Sequence, residues 1–420
     1  MDLSIVIISH NRKEYLKRCL SGIFNQKNAT YYTDKIEVMI STLKDDEVDF
    51  NWIREHNQPN FKLEVILDET SEKFNRSRAR NKGVSKARGR KILYLDSDII
   101  ISKDFFETFW TCINKKSVGV HYLYGYKVKI SDQDAHQLLS FGEKASEVDL
   151  RGLNFSDYRD QSFGLCEDDL NKLLMPWVLA WSGILSVPKQ LINDVHGFGE
   201  SFSDWGGEDT DFAYRLYQTG ASFELYRGCF GVHMPHETQK TQVSDASNRH
   251  LFHEKYQNVE SELITFYPTF LAEKILVQIT QSYLLNVNHT EESIASINQS
   301  LALYRRKLSV GLRLPKEMNR LNFDYFLVVD IPTSKKTSGC DEGKKVINQI
   351  GLLTNFVDDY FDIVYVFDSF QFLPDKIYHL IFKELNRISK RMVETNFVDE
   401  MGPYTKNELV RSRQGYQSNF

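Results

Sequence analysis

The stretch Lys91-Ile92-Leu93-Tyr94-Leu95-Asp96-Ser97-Asp98 decides how this chain folds: an apolar run, Ile92 to Leu95, stops abruptly in an acidic triplet. An unbroken apolar run of that length fits a strand buried on both faces, as in a parallel sheet. Upstream, Leu3 to Ile8, Ile36 to Ile40 and Leu63 to Leu67 read the same way. Helices fall between them. Tyr15, Leu16, Cys19, Leu20 and Ile23 supply one apolar face, with Asn11 placed to cap it. Asn75 to Lys86 forms another helix, closed near Gly89. Alternation of this kind predicts an α/β fold, a mostly parallel sheet with helices on both faces. Ligands of such sheets bind beyond the carboxyl ends of the strands, and Asp96 and Asp98 stand at one of those ends.

Downstream, residues 126 to 170 are polar and irregular. Trp177, Trp181 and Ser182-Gly183 then lead into a strand, Ile184 to Val187, stopped by Pro188. Trp205-Gly206-Gly207-Glu208-Asp209-Thr210-Asp211 opens a helix that closes at Gly220. Phe223 to Tyr226 and Phe230 to Val232 read as strand pieces, the second delivering His233-Met234-Pro235-His236. Residues 245–320 read as a helical connector between a first domain, 1–244, and a small α/β unit, 321–420. In that last unit we expect strand Tyr325 to Ile331, helix Gly343 to Leu352, strand Phe361 to Phe367, helix Lys376 to Ser389 and strand Arg391 to Thr395.

Composition removes several classes. The 420 residues carry a net charge of −5, so no basic field points to nucleic acid. Cys19, Cys112, Cys166, Cys229 and Cys340 are scattered and form no CxxC pair, the pattern of reduced thiols. The opening residues lack a basic leader, and no apolar run is long enough for a transmembrane segment. Together these lead us to expect a cytoplasmic protein. Asn75 lies in a glycosylation sequon, read as chance in a protein that is not secreted.

Asp96 and Asp98, two residues apart just past a strand, offer hard oxygen ligands for Mn2+ or Mg2+. The same residues also suit a solvated turn. His233 and His236, three apart, can face one site, and imidazole suits Mn2+ better than Mg2+. In Trp205 to Asp211, paired glycines permit close backbone approach to a ligand, and a ring beside them can stack on a sugar. Carboxylates at the following helix start can act as a general base. They can also simply cap the helix and complement its dipole, which leaves Trp-Gly-Gly unexplained. Phe74-Asn75-Arg76-Ser77-Arg78-Ala79-Arg80 sets three arginines at a helix start, suited to phosphate or to a solvated basic face.

Taken in order, Ser9-His10-Asn11-Arg12, FNRSRARNKG (74–83), YLDSD (94–98), WSGILSVPK (181–189), the GFGESFSDWGGEDTDFAYRLYQTG run (197–220) and GVHMPHE (231–237) resemble the GT-A fold glycosyltransferases. Within them the pattern is similar to family 2 enzymes of the chondroitin-polymerase type and to β-galactosyltransferases. The resemblance covers residues 1 to about 240 and implies an inverting transfer from a UDP-sugar donor with Mn2+ (or Mg2+). It assigns donor contacts to Asp96, Phe74, Arg76, Arg80 and Asn11, and metal coordination to Asp98, His233 and His236. Asp209 falls at the catalytic-base position with Glu208 beside it on the acceptor; Trp205, Gly206, Gly207 and Trp181 shape the sugar and acceptor site. Residues 126 to 170 become excursions over the acceptor side. Two positions depart from the family: His10 replaces a Tyr, and Thr42 stands where an Asp contacts uracil, unless Asp45 reaches in.

The C-terminal unit resembles the later strands of a class I methyltransferase, without a Gly-x-Gly turn after Val328-Val329-Asp330. It reads as a degenerate domain for acceptor binding or assembly. Three functions follow: hexose or N-acetylhexosamine transfer to a glycan or glycolipid acceptor, transfer to a peptide or protein side chain, or a non-catalytic nucleotide-sugar-binding scaffold. A scaffold has no need of metal ligands and a base together. Oligomeric state is not written in the sequence.

Overall fold

A computed structural model describes residues 1–44, 46–70, 73–125, 156–202, 206–234, 242–282, 291–311, 320–329, 344–366 and 375–394. The chain divides into two compact units, Met1–Asn248 and Arg249–Phe420. In the first, chain order is β1 (Leu3–Ile8), α1 (Lys13–Phe24), β2 (Ile36–Leu43), α2 (Phe50–His56), β3 (Lys62–Asp68), α3 (Arg76–Lys86), β4 (Lys91–Asp96), β5 (Ile99–Ile101) and α4 (Phe105–Trp110). Next come β6 (Val118–Tyr124), α5 (Asp160–Leu165), β7 (Ile184–Pro188), α6 (Lys189–Asp194), α7 (Glu208–Gln218) and β8 (Phe223–His233), and the boundary with the second unit falls within α8 (Gln242–Tyr256).

These strands make one eight-stranded sheet in the order β3-β2-β1-β4-β7-β6-β8-β5. β3, β2, β1 and β4 run parallel, while β7 is antiparallel to both β4 and β6. The unit is α/β, as its sequence predicts. Side chains alternate across a strand, and β1 shows it. Leu3, Ile5 and Ile7 pack in one cluster with Leu16, Leu20 and Ile23 of α1. Val6 points the other way, where a Cβ on Gly83 of α3 would come within 2.4 Å of its Cγ1. The two helices therefore cover opposite faces, and β1 and β4 are buried on both.

Entry into β4 is pinned by a buried polar knot. Gly89 N donates to Ser4 Oγ (2.7 Å), Ser4 Oγ donates to the fully buried Glu37 (2.6 Å), and Arg88 Nη2 also reaches Glu37 (2.6 Å). A Cβ at Gly89 would sit 2.4 Å from the Ser4 nitrogen, so only glycine fits there.

Two local expectations change. Asn11 does not cap α1. It takes φ of +54°, its backbone N–H donates to Asp46 Oδ1 (3.3 Å), and the cap position falls to Arg12. The turn is spent on gathering groups at the strand end rather than on the helix. The two strand pieces after Gly220 are one strand, β8, whose pairing with β6 slips between His121 and Tyr122.

In the second unit α9 (Val259–Phe266), α10 (Thr269–Ser282) and α11 (Glu291–Leu301) precede β9 (Lys307–Gly311), β10 (Tyr325–Val328), β11 (Lys345–Asn348), β12 (Ile363–Val366), α12 (Asp375–Ile388) and β13 (Met392–Glu394). Its strands form an all-parallel sheet ordered β11-β10-β9-β12-β13. The stretch read as helix Gly343 to Leu352 instead contains β11, because Val346 and Ile347 pair with Phe326 and Leu327 of β10. β9, within residues 245–320, lies between β10 and β12. A fully buried carboxylate, Glu262 on α9, accepts N–H donors from Ile350 (2.6 Å), Gly351 (3.2 Å) and Leu353 (2.9 Å). Burial still pushes it up to about 8 against those donors. Among the described residues, no helix is long and apolar enough to cross a membrane.

Candidate active site

The acidic triplet sits where three strands of the first unit end. Asp96 N donates to Gly183 O (2.8 Å), Ser97 N to Ile8 O (3.3 Å), and Met234 N to Asp98 O (2.8 Å). The backbone is thus tied to the end of β1, to the residue before β7 and to the end of β8. Because Ile99 pairs with His233 across β5 and β8, His233 is brought to Asp98. Its Nε2 lies 3.8 Å from Asp98 Oδ1.

Two groups that each bond a divalent cation at about 2.1 Å must stand roughly 3–4 Å apart, so this carboxylate and imidazole fit one. Among the described residues, no third His, Cys, Asp or Glu completes a protein cage. Further ligands would come from substrate oxygens or water, as Mn2+ and Mg2+ sites at phosphates commonly have. The other oxygen of Asp98 pairs with the Arg12 guanidinium, an arginine that the sequence reading quoted without giving it a role. His236 and Trp205 lie outside the described residues.

Arg76, Arg78 and Arg80 are spaced by two, so on a helix they point in different directions. Arg78 turns to Asp68 at the end of β3 (Nε to Oδ2, 2.5 Å), together with Lys82 (2.6 Å). Burial alone would raise Asp68, but Lys82, Thr70 and Arg78 outweigh it and hold the carboxyl well below its ordinary range. Arg80 is buried. Its Nη2 is 3.0 Å from Asp96 Oδ1 and its Nη1 is 3.3 Å from Glu208 Oε1. One guanidinium therefore joins the strand-end carboxylate to the first residue of α7. Arg76, half-buried, remains near enough to favour the ionised form of Asp96. Burial pushes Asp96 above its ordinary value, against the pull of Arg80.

α7 begins at Glu208 because the chain before it turns through two left-handed residues, Gly206 (φ +95°) and Gly207 (φ +84°). Gly207 is packed so that a Cβ would meet Phe202 at 3.0 Å and Asn248 at 3.1 Å, while Asn248 Nδ2 donates to Gly206 O (2.7 Å). A side chain at either glycine is strained. Asp209 accepts from Thr210 N (2.8 Å). Burial first, then the charge of Glu208, raises its pKa to about 7 although Arg80 opposes them. Asp211 is different: fully buried, it holds Arg215 (Nε, 2.9 Å) and serves the packing of α7.

Phe74 stacks on His10, with ring centres 4.8 Å apart and planes 7° from parallel. His10 Nδ1 is 3.0 Å from Asp46 Oδ1. Asp46 also accepts from Leu43 N (3.2 Å) and from the Thr42 hydroxyl. The carboxylate that meets Thr42 is thus Asp46, four residues further on, which the sequence reading did not single out; Asp45 lies outside the described residues. The only signal for it was a second Asp in a short loop. Trp181, half-buried, donates from Nε1 to Val178 O (3.1 Å), and the Arg159 guanidinium lies over its ring at 4.7 Å.

Comparison with known proteins finds two matching families. The family Glycosyl transferase family 2 matches residues 4–172, and N-terminal domain of galactosyltransferase matches residues 169–237. The chain is similar to validoxylamine A glucosyltransferase of Streptomyces hygroscopicus subsp. jinggangensis, with 26% identity over 250 residues, 58% of each protein. It therefore spans little more than half the length of that relative. It is also similar to chondroitin synthase of Escherichia coli, at 23% identity over 316 residues, 67% of this chain and 44% of the synthase. Among solved structures, S. aureus TarS 1–349 in complex with UDP aligns with 71% of this chain and 78% of its own at 16% identity and a TM-score of 0.43. The first unit of this chain is thus similar to family 2 glycosyltransferases over residues 4–172 and to the galactosyltransferase segment over residues 169–237.

Proposed function

We propose that the chain transfers a hexose or N-acetylhexosamine from a UDP-sugar to an acceptor hydroxyl with inversion, using Mn2+ (or Mg2+). One observation carries the reading. Asp98 meets His233 on one side of the strand ends, while Arg80 ties Asp96 there to Glu208 beside Asp209. The groups that this reading gives to the donor and to the acceptor are therefore neighbours.

In this reading Asp98 and His233 hold the cation, whose chemistry when bound is to neutralise charge on the departing diphosphate. Phe74 and His10 take the base, Asp46 accepts a hydrogen bond from it, and Asn11 and Arg76 approach the ribose and phosphates. Asp209 removes the proton from the acceptor oxygen on the face opposite the leaving UDP. A carboxyl raised to about 7 is well matched to that task at neutral pH. Glu208, held by Arg80, receives the acceptor, and Gly206 and Gly207 let it approach the backbone. No covalent intermediate is needed. The second unit then serves acceptor binding or assembly, and the scattered cysteines suit the cytoplasm.

The test is a donor screen: full-length protein with Mn2+, a panel of UDP- and GDP-sugars, and nucleotide release as readout. Release from at least one UDP-sugar, lost on chelation, supports the proposal. Tight UDP binding with no release from any donor points instead to a nucleotide-sugar-binding scaffold.

A further inference from the structure

Residues 157–159 alternate sharply between inside and outside. Asp157 and Arg159 are each 2% exposed, yet Tyr158 between them is 57% exposed. The flanks are locked. Asp157 accepts from Leu123 N (2.8 Å), and Arg159 reaches it through Nε (2.9 Å) and Nη2 (2.6 Å). Arg159 also donates to Leu179 O (2.6 Å) and His121 O (2.7 Å). Buried, multiply bonded charges of this kind do not rearrange at low cost. Tyr158 is therefore held outward by its neighbours.

Its ring stacks with Trp181, centres 6.1 Å apart and planes 29° from parallel, and Arg159 lies over the same indole. Trp181 comes two residues before Gly183, whose carbonyl receives the Asp96 N–H. The aromatic pair is thus joined to the strand ends by a short, pinned segment.

We propose that Tyr158, backed by Trp181 and Arg159, is a stacking platform for a pyranose ring of a carbohydrate acceptor. The inference rests on the transferase reading above and deepens it by favouring a glycan over a peptide. A flat aromatic face fits the C–H face of a sugar ring, and Tyr adds a hydroxyl at its wet edge. Rigid aromatic anchors also lose little conformational entropy on binding. An extended peptide, by contrast, gains most from an open sheet edge or a groove, whereas a stacking pair offers one flat aromatic face.

The experiment uses full-length protein on an immobilised panel of α- and β-linked hexose and N-acetylhexosamine oligomers, with a Ser/Thr-rich peptide set alongside. UDP binding by calorimetry controls for folding of each variant. At least one glycan series is expected to be retained, about tenfold more weakly by Tyr158→Ala and nearly normally by Tyr158→Phe. The proposal is overturned if Tyr158→Ala binds glycans as well as wild type, or if wild type retains peptides and no glycan. Donor turnover without acceptor is scored separately. Its failure would sink the transferase reading while leaving the glycan result to stand or fall alone.

Discussion

Asp209 gives the sharpest prediction. Burial and the charge of Glu208 raise its pKa to about 7, with Arg80 opposing. If it is the base, only the ionised form works, so turnover must rise with pH through that value. With a midpoint of about 7, roughly a tenth of the enzyme is active at pH 6 and about nine tenths at pH 8, a rise of about tenfold. Glu208→Gln removes a neighbouring negative charge and frees Arg80 from its second partner, 3.3 Å away. Both changes favour the ionised Asp209, so the midpoint moves to lower pH. Arg80→Met does the opposite and moves it up. The assay is kcat for sugar transfer at saturating donor, acceptor and Mn2+ from pH 5 to 9. A wild-type midpoint near 4, or one that stays put or rises in Glu208→Gln, would refute the reasoning.

Other perturbations have equally definite outcomes. Asp98→Ala should abolish Mn2+-dependent UDP release and weaken Mn2+ binding, followed by electron paramagnetic resonance, by at least about tenfold. Asp209→Asn should abolish transfer yet raise Tm by about 2–5 °C. A carboxyl with a raised folded-state pKa costs stability as pH climbs from its unfolded value toward about 7, so the gain should be larger at pH 8 than at pH 5. Arg80→Met strands two carboxylates. Asp96 is a third exposed and partly screened, so the loss should sit near the low end for a broken buried pair, about 3 kcal/mol, read as a Tm drop of roughly 10 °C. Gly89→Ala places a Cβ against the Ser4 backbone and should cost about 3 kcal/mol in denaturant unfolding.

The residues that were legible beforehand act through local pattern. The apolar run before Asp96, the acidic start of α7 and the glycines before it each announce themselves within a few positions. The rest depends on reach. Arg12 meets Asp98 across 86 positions, and Asp46 folds back on Thr42 because a loop turns there. Neither has a spacing signature. Arg78 and Arg80 look equivalent in sequence, but helical geometry sends one to Asp68 and the other into the buried bridge. β11 was misread because Val346, Ile347 and Ile350 also suit a helix face; pairing with β10 decided it. β9 offers only Leu308, Ser309 and Val310 before a glycine, a signal too short to stand out before its partners are known.

The placement of β9 has a consequence for how the protein is made. As the central strand of the second sheet it pairs with β10 on one edge and β12 on the other, but it is synthesised before both. β12 starts at residue 363, well after β9 ends at 311. At translation rates of about 5–20 residues per second, that edge waits several seconds for its partner. An apolar strand with an unpaired edge is a template for the wrong neighbour. The second unit thus carries an unpaired central-strand edge while it is being synthesised. Any expression trial that stops the chain between β10 and β12 makes that transient hazard permanent.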